Sequence, residues 1–181
     1  MRRPELERHG IQVPVLATIA LGGLPGPPNW AERLVRIGID VVASGAPADT
    51  AETWSLACAA VPFRPVKGIA ADAAAAAALI VAGCRLVECA TDPGPDAYWL
   101  RLDERVVIAV NGGCITVEDP SVIARQVVEA AWEGSAAALW VVASPGLEAL
   151  PIAIVEAKLA SLAEAAVSAR LVLAKEQFGR D

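Results

Sequence analysis

The chain has one histidine, His9, no Cys-x-x-Cys pair, no basic stripe and few aromatic residues, 4% of the total. Each scarcity excludes a class of protein. A Ser–His or Cys–His nucleophile pair needs a histidine beside the nucleophile. His9 lies in a polar, charged opening stretch, MRRPELERHG, where solvent is its expected surroundings. Triad hydrolysis is therefore not expected. A membrane span needs about 18–20 consecutive apolar residues, and Arg, Glu, Lys, Gly and Pro interrupt every apolar run before that length. No apolar segment follows the charged opening, so it does not read as a secretory signal. The formal net charge is −6, and the tryptophans are not interleaved with Lys or Arg. Nucleic acid is not an expected partner. Cys58, Cys84, Cys89 and Cys114 are scattered and read as reduced, mostly buried thiols. The expected compartment is the cytoplasm.

What the chain does have is alanine and regular alternation. Its 181 residues suggest one domain, and 55% are hydrophobic, above an average soluble domain. The excess is mostly alanine, the best helix former, which argues for closely packed helices. It also fits a surface covered by a second copy.

Residues 1–11 read as a loose, flexible arm, and residues 12–181 as one domain. Residues 13–21 form the first expected strand, ending in the breaker-rich turn GGLPGPP. Asn29 is placed to cap a helix over 30–37, which Gly38 ends. A second strand, 39–43, stops at Ser44-Gly45-Ala46-Pro47. Asp49 or Thr50 caps a helix to about residue 60. A strand over 64–70 follows, then an alanine-rich helix capped by Asp72, then a strand over 84–90. A short helix is expected near 97–102 and a fifth strand over 105–110. Asp119-Pro120 opens the next helix. The apolar run 139–142 is the sixth strand. After the turn at Ser144-Pro145-Gly146, a long helix runs over 151–175. Strand and helix alternate at about 30 residues per unit, the signature of parallel α/β folds. No Gly-x-Gly-x-x-Gly follows the first strand, and prolines remove the N–H groups a phosphate cradle needs there.

Residues 139–166 carry a resemblance. Leu139-Trp140-Val141, Gly146-Leu147, Leu150-Pro151, Ala157-Lys158-Leu159 and Ala165-Ala166 are similar to the last barrel unit of the cobalamin-independent methionine synthase family. The turn Gly22-Gly23-Leu24-Pro25-Gly26 and the segment Thr116-Val117-Glu118-Asp119 resemble that family too. The resemblance implies a reduced (β/α) TIM-barrel-like domain of about six parallel strands alternating with helices. It also implies positions for the family's zinc ligands. A cysteine ligand falls at Pro145, a histidine at Arg64, a second ligand at Val66 and a glutamate at Glu88. The family's aspartate falls at Asn111. Zinc needs three or four N, S or O donors, so no metal and no cofactor are expected. Glu88, inside an apolar strand, needs a partner, and Arg64 on the neighbouring strand is the expected one. A substitute zinc site from Glu88, Cys89, Asp92 and Cys114 is the alternative.

The candidate ligand-binding residues are thus Arg64, Glu88, Cys89, Asn111, Cys114 and Ser144. The functional expectation is a degenerate methionine-synthase-like barrel. It would bind a small molecule or partner at the carboxyl ends of its strands, without zinc-dependent methyl transfer. One alternative is an active methyltransferase acting on a thiol, with a displaced metal site. Another is a structural or regulatory subunit of a larger family member. A homo-oligomer is expected, because an incomplete barrel leaves an edge or apolar flank to cover.

Overall fold

The structure, a computed structural model, describes residues 4–26, 29–100, 106–133 and 140–178. Helix α1 spans Pro4–Arg8, and Leu6 and Ile11 beside it are buried in the core. Strand β1 is Ala17–Ala20, and helix α2 is Trp30–Ile37. Gly38, with a φ of 100°, ends α2 in the left-handed conformation that glycine tolerates. Helix α3, Ala51–Ala60, opens on a capping box between Thr50 and Thr53. Strand β2 is only Gly68–Ile69. Helix α4, Ala73–Val81, is capped by Asp72, whose carboxylate accepts from Ala75 N–H at 2.8 Å. Strands β3 (Leu86–Glu88), β4 (Tyr98–Leu100) and β5 (Val106–Val110) follow. Helix α5 is Pro120–Glu133. Strand β6 is Trp140–Ala143, and helix α6, Ile152–Phe178, closes the described chain.

All strand pairs are parallel. They form two sheets of three strands, in the orders β1-β6-β5 and β2-β3-β4. This overturns the expected TIM-barrel-like domain: among the described residues there is no closed barrel. Six strands are present among the described residues, but not the six expected. Segment 39–43 contributes only two isolated bridges, Ile19 to Val41 and Val42 to Val66. The expected short helix near 97–102 is instead β4, where Tyr98-Trp99-Leu100 pairs with Leu86-Val87-Glu88. Aromatic residues favour a pleated, half-buried surface.

The missing ladders have a local cause. A parallel ladder needs each strand's N–H groups for its neighbour's carbonyls. Thr18 N–H is taken by the Asp40 carboxylate at 2.9 Å. Ile69 N–H is taken by the Asp49 carboxylate at 2.8 Å. Pro65, which accepts from Val42 N–H, has no N–H to give. Side chains thus intercept the donors between β1, the Val41–Val42 segment and β2, and pairing there shrinks to single bridges.

The core divides by strand face. Ala17, Ile19, Trp140 and Val142 of the first sheet meet Leu86 and Leu100 of the second in one buried cluster. On the opposite face, Ala20, Val141 and Ala143 pack with Leu34 of α2, Val127 of α5 and Leu159 and Leu162 of α6. Strands β1 and β6 are therefore buried on both faces, which explains the unbroken apolar sequence of β6; the one polar residue of β1, Thr18, is buried with its hydroxyl paired to Asp40.

At the amino end of β1, one buried carboxylate organises three segments. Asp40 accepts from the Thr18 hydroxyl at 2.8 Å as well as from its N–H, and Asp40 N–H returns a bond to the hydroxyl at 2.9 Å. Arg170 of α6 pairs with the same carboxylate oxygen. It also donates to the carbonyls of Val15 and Leu16, at 2.8 and 2.9 Å. We expect Asp40→Ala to destabilise the fold by about 3–5 kcal/mol, since it strands a guanidinium and a buried N–H together. Urea unfolding would read this as a lower midpoint at unchanged slope. A midpoint within error of the parent would show that the network is not needed.

Candidate functional site

The turns after β1, β5 and β6 and the end of β3 bring Gly22, Asn111, Ser144 and Glu88 to the carboxyl ends of the strands. Glu88 is the centre. Its Oε1 accepts from Gly22 N–H at 2.8 Å, and its Oε2 pairs with Lys67. The Lys67 side chain is fully buried, while that of Glu88 keeps 20% exposure.

The expected Glu88–Arg64 pair is not what forms; Lys67 takes that part. Side chains alternate faces along a strand. Ile69 is in register with Glu88, and Gly68 with Val87. Lys67 lies two positions before Ile69 and so shares the Glu88 face. Arg64 has the opposite parity, lies before β2 and is exposed.

Gly22 joins Glu88 to the β6 turn. It has a φ of 72°, and a Cβ added there would stand 3.3 Å from the Pro145 Cβ. The β5 turn comes closer still. A Cβ on Gly112 would lie 2.4 Å from the Ser144 carbonyl oxygen, so only glycine fits. Gly112 N–H donates to the Ser144 hydroxyl at 2.9 Å. A second buried ion pair fixes this turn. Glu118 accepts from Asn111 N–H at 2.9 Å and pairs at 2.9 Å with Lys158 of α6, which is itself fully buried. Lys158 also donates to the Thr116 carbonyl.

Of the sequence-predicted residues, Glu88, Ser144 and Asn111 thus lie on turns linked through Gly22 and Gly112. Arg64 does not join them. Cys89 donates to the Thr91 carbonyl at 2.6 Å, and Cys114 accepts from Thr116 N–H at 3.5 Å. Asp92 accepts from Gly94 N–H. The substitute zinc site is therefore not assembled, and among the described residues no group of three or more His, Cys, Asp and Glu is placed to hold a metal. The positions implied by the resemblance do not fit zinc either. Val66 is buried and apolar, Pro145 has no donor atom, and Glu88 already carries Lys67 and Gly22 N–H.

The cysteines divide by environment. Burial pushes the Cys84 thiol up to about 11, and Cys84 donates to the Leu86 carbonyl as a core residue. Burial also raises Cys89 and Cys58. Cys114 is lowered, chiefly by hydrogen bonds from the Thr116 side chain and backbone. Sequence reasoning missed Lys67 and the pairing of Lys158. A lysine inside the apolar run Val66–Ile69 was the available signal, since an amine there needs a carboxylate on the adjacent strand.

Among known proteins, no family model matches the chain, and no curated protein matches it either.

A double-mutant cycle tests the Lys67–Glu88 pair. Glu88→Gln leaves a buried ammonium unpaired and is expected to cost about 3 kcal/mol, the low end for breaking a buried pair, because Glu88 keeps some solvent. Lys67→Met in the Glu88→Gln background is expected to recover at least about 1 kcal/mol of that loss in chemical denaturation. Arg64→Ala should change stability by no more than about 0.5 kcal/mol, as at an ordinary surface site. A large Arg64 effect with none at Lys67 would restore the pairing with Arg64.

Proposed function

We propose that the protein binds a small polar molecule at the carboxyl ends of its strands, without zinc-dependent methyl transfer. The observation that carries this reading is the Glu88 carboxylate, held by a buried ammonium and a main-chain N–H yet still part-exposed. Its remaining lone pairs accept from a ligand ammonium or hydroxyl. The Asn111 side chain, which accepts from Gly113 N–H, and the Ser144 hydroxyl lie on the turns after β5 and β6 and are the further polar groups offered at these strand ends. The placement supports the reading, because parallel α/β proteins bind ligands at strand carboxyl ends. So does the energetics. A buried ion pair is weak evidence for stability, since desolvation offsets the attraction. The likeness of residues 139–166 to the methionine synthase family supports a kinship of this one strand–turn–helix unit, not of the barrel. The single remaining donor at its zinc positions supports a changed chemistry.

Amide chemical shifts test this. Titration with ethanolamine, and separately with glycerol, is expected to move the Gly22, Asn111 and Ser144 amides saturably with at least one probe. Glu88→Gln should abolish the effect. No saturable change at these amides would overturn the reading, as would one zinc per chain by elemental analysis of the purified protein.

The same proposal places the protein in the cytoplasm as a homo-oligomer. Among the described residues no helix is long and apolar enough to cross a membrane. Val167 and Leu171, one turn apart on α6, are 52% and 59% exposed, an apolar stripe suited to a second copy. Light scattering at micromolar concentration is expected to give at least twice the chain mass, and Leu171→Glu to lower it. A monomer would overturn the assembly.

A further inference from the structure

A cleft of about 380 Å³ opens at the amino-terminal side of β2 and β3, away from Glu88. Its charge is inverted relative to the chain. The protein carries a net charge of −6, yet His9, Arg64 and Arg85 line this cleft, and no Asp or Glu does among the described residues. Arg64 is exposed and makes no ion pair among the described residues. Arg85 spends one guanidinium N–H on the Asp96 carbonyl at 3.1 Å, which leaves others for a ligand.

Aromatic side chains share the walls with these cations. Trp54 is half-buried in one of them, its ring held by a 3.2 Å bond from Nε1 to the Val66 carbonyl. Phe63 stands at the rim at 95% exposure, between Pro62 and Arg64. An apolar ring so exposed, beside a guanidinium with no ion pair among the described residues, wants an apolar partner that carries negative charge. The volume lies within the range of small-molecule sites, roughly 300–1,000 Å³, and is too small for a folded partner.

We propose that this cleft binds a small organic oxyanion attached to an aromatic ring, an aryl carboxylate or aryl phosphate. The planar guanidinium of Arg64 takes the oxyanion through paired N–H donors, with Arg85 adding a second cation. Phe63 and Trp54 take the ring, since aromatic faces pack with one another in offset or edge-to-face arrangements. The site is independent of Glu88, so either can fail without the other.

Calorimetric titration of the full chain with benzoate and with phenyl phosphate tests the proposal and separates the two oxyanions. Inorganic phosphate and benzyl alcohol are the controls for charge alone and ring alone. Saturable binding of one ring-bearing anion, one per chain, is expected, with each control at least about tenfold weaker. Arg64→Ala should weaken it at least about tenfold, as for loss of a charge-assisted bond. Phe63→Ala should weaken it several-fold. Both residues are exposed, and circular dichroism would confirm that the variants fold. Higher salt should weaken binding as well. Neither anion binding up to about 10 mM, well beyond the weakest affinity of interest, would overturn the proposal. So would inorganic phosphate binding as tightly as phenyl phosphate, or Arg64→Ala and Arg85→Ala binding as the parent does.

Discussion

Carboxylates that accept main-chain N–H groups, each backed by a cation or a hydroxyl, hold this structure together. Glu88 takes Gly22 N–H and is balanced by Lys67. Glu118 takes Asn111 N–H and is balanced by Lys158. Asp40 takes Thr18 N–H and is balanced by Arg170. Asp49 takes Ile69 N–H and accepts from the Ser44 hydroxyl. The logic is a single one. Donors past a strand end, such as Gly22 and Asn111, have no ladder partner, and those at Thr18 and Ile69 are drawn out of the ladder; either way a buried donor must be satisfied. A carboxylate satisfies it strongly but brings a charge into a dry place, so a counter-group must follow. Lys67 and Lys158 are fully buried for that reason, although lysine is almost never found so.

This arrangement explains what the sequence made legible. Helices rest on near-neighbour signals, and most of these were readable, although Asn29 makes no side-chain capping bond and the helix expected near 97–102 is strand β4. The span Trp30–Ile37 with its Gly38 stop, the Asp72 cap and the Pro120 start all stand where periodicity and capping put them. Strands β1, β3 and β5 lie inside their expected apolar runs, and β6 extends one residue past its own, to Ala143. Segment 39–43 read as a strand by composition, and its Val41 and Val42 are buried as a strand's would be. What composition does not carry is the hydrogen bonding. Asp40, at the start of that segment, looks like an edge residue in the sequence. In the fold it takes the donor that the ladder needed, 22 positions away.

The site was half legible for a related reason. Glu88 announced itself as a carboxylate in an apolar strand. Its partner depended on strand register, which is set by pairing across 21 positions and not by either strand alone. One step of parity separates Arg64, facing outward, from Lys67, facing in. The amino-side cleft was less legible still. It is assembled from the stretches around residues 9–12, 54–58, 62–66 and 83–86, and none of them carries a signal by itself. The resemblance read into residues 139–166 concerned one strand–turn–helix unit. The arrangement of the other strands is a property of long-range pairing, which a local similarity does not reach.

Helix α6 carries both Lys158 and Arg170. The two lie twelve residues apart, about 18 Å along the axis at 1.5 Å per residue. One is pinned beside the carboxyl ends of the strands and the other beside their amino ends. The helix therefore acts as a strut across the sheet, and its two anchors share a single rigid body. Fraying of its last turns loosens the hold on Asp40 before it reaches Lys158, so solvent should enter this fold from the amino-terminal side first. Opening at the carboxyl side requires the strut to detach along most of its length, which makes that end a late and cooperative step in unfolding.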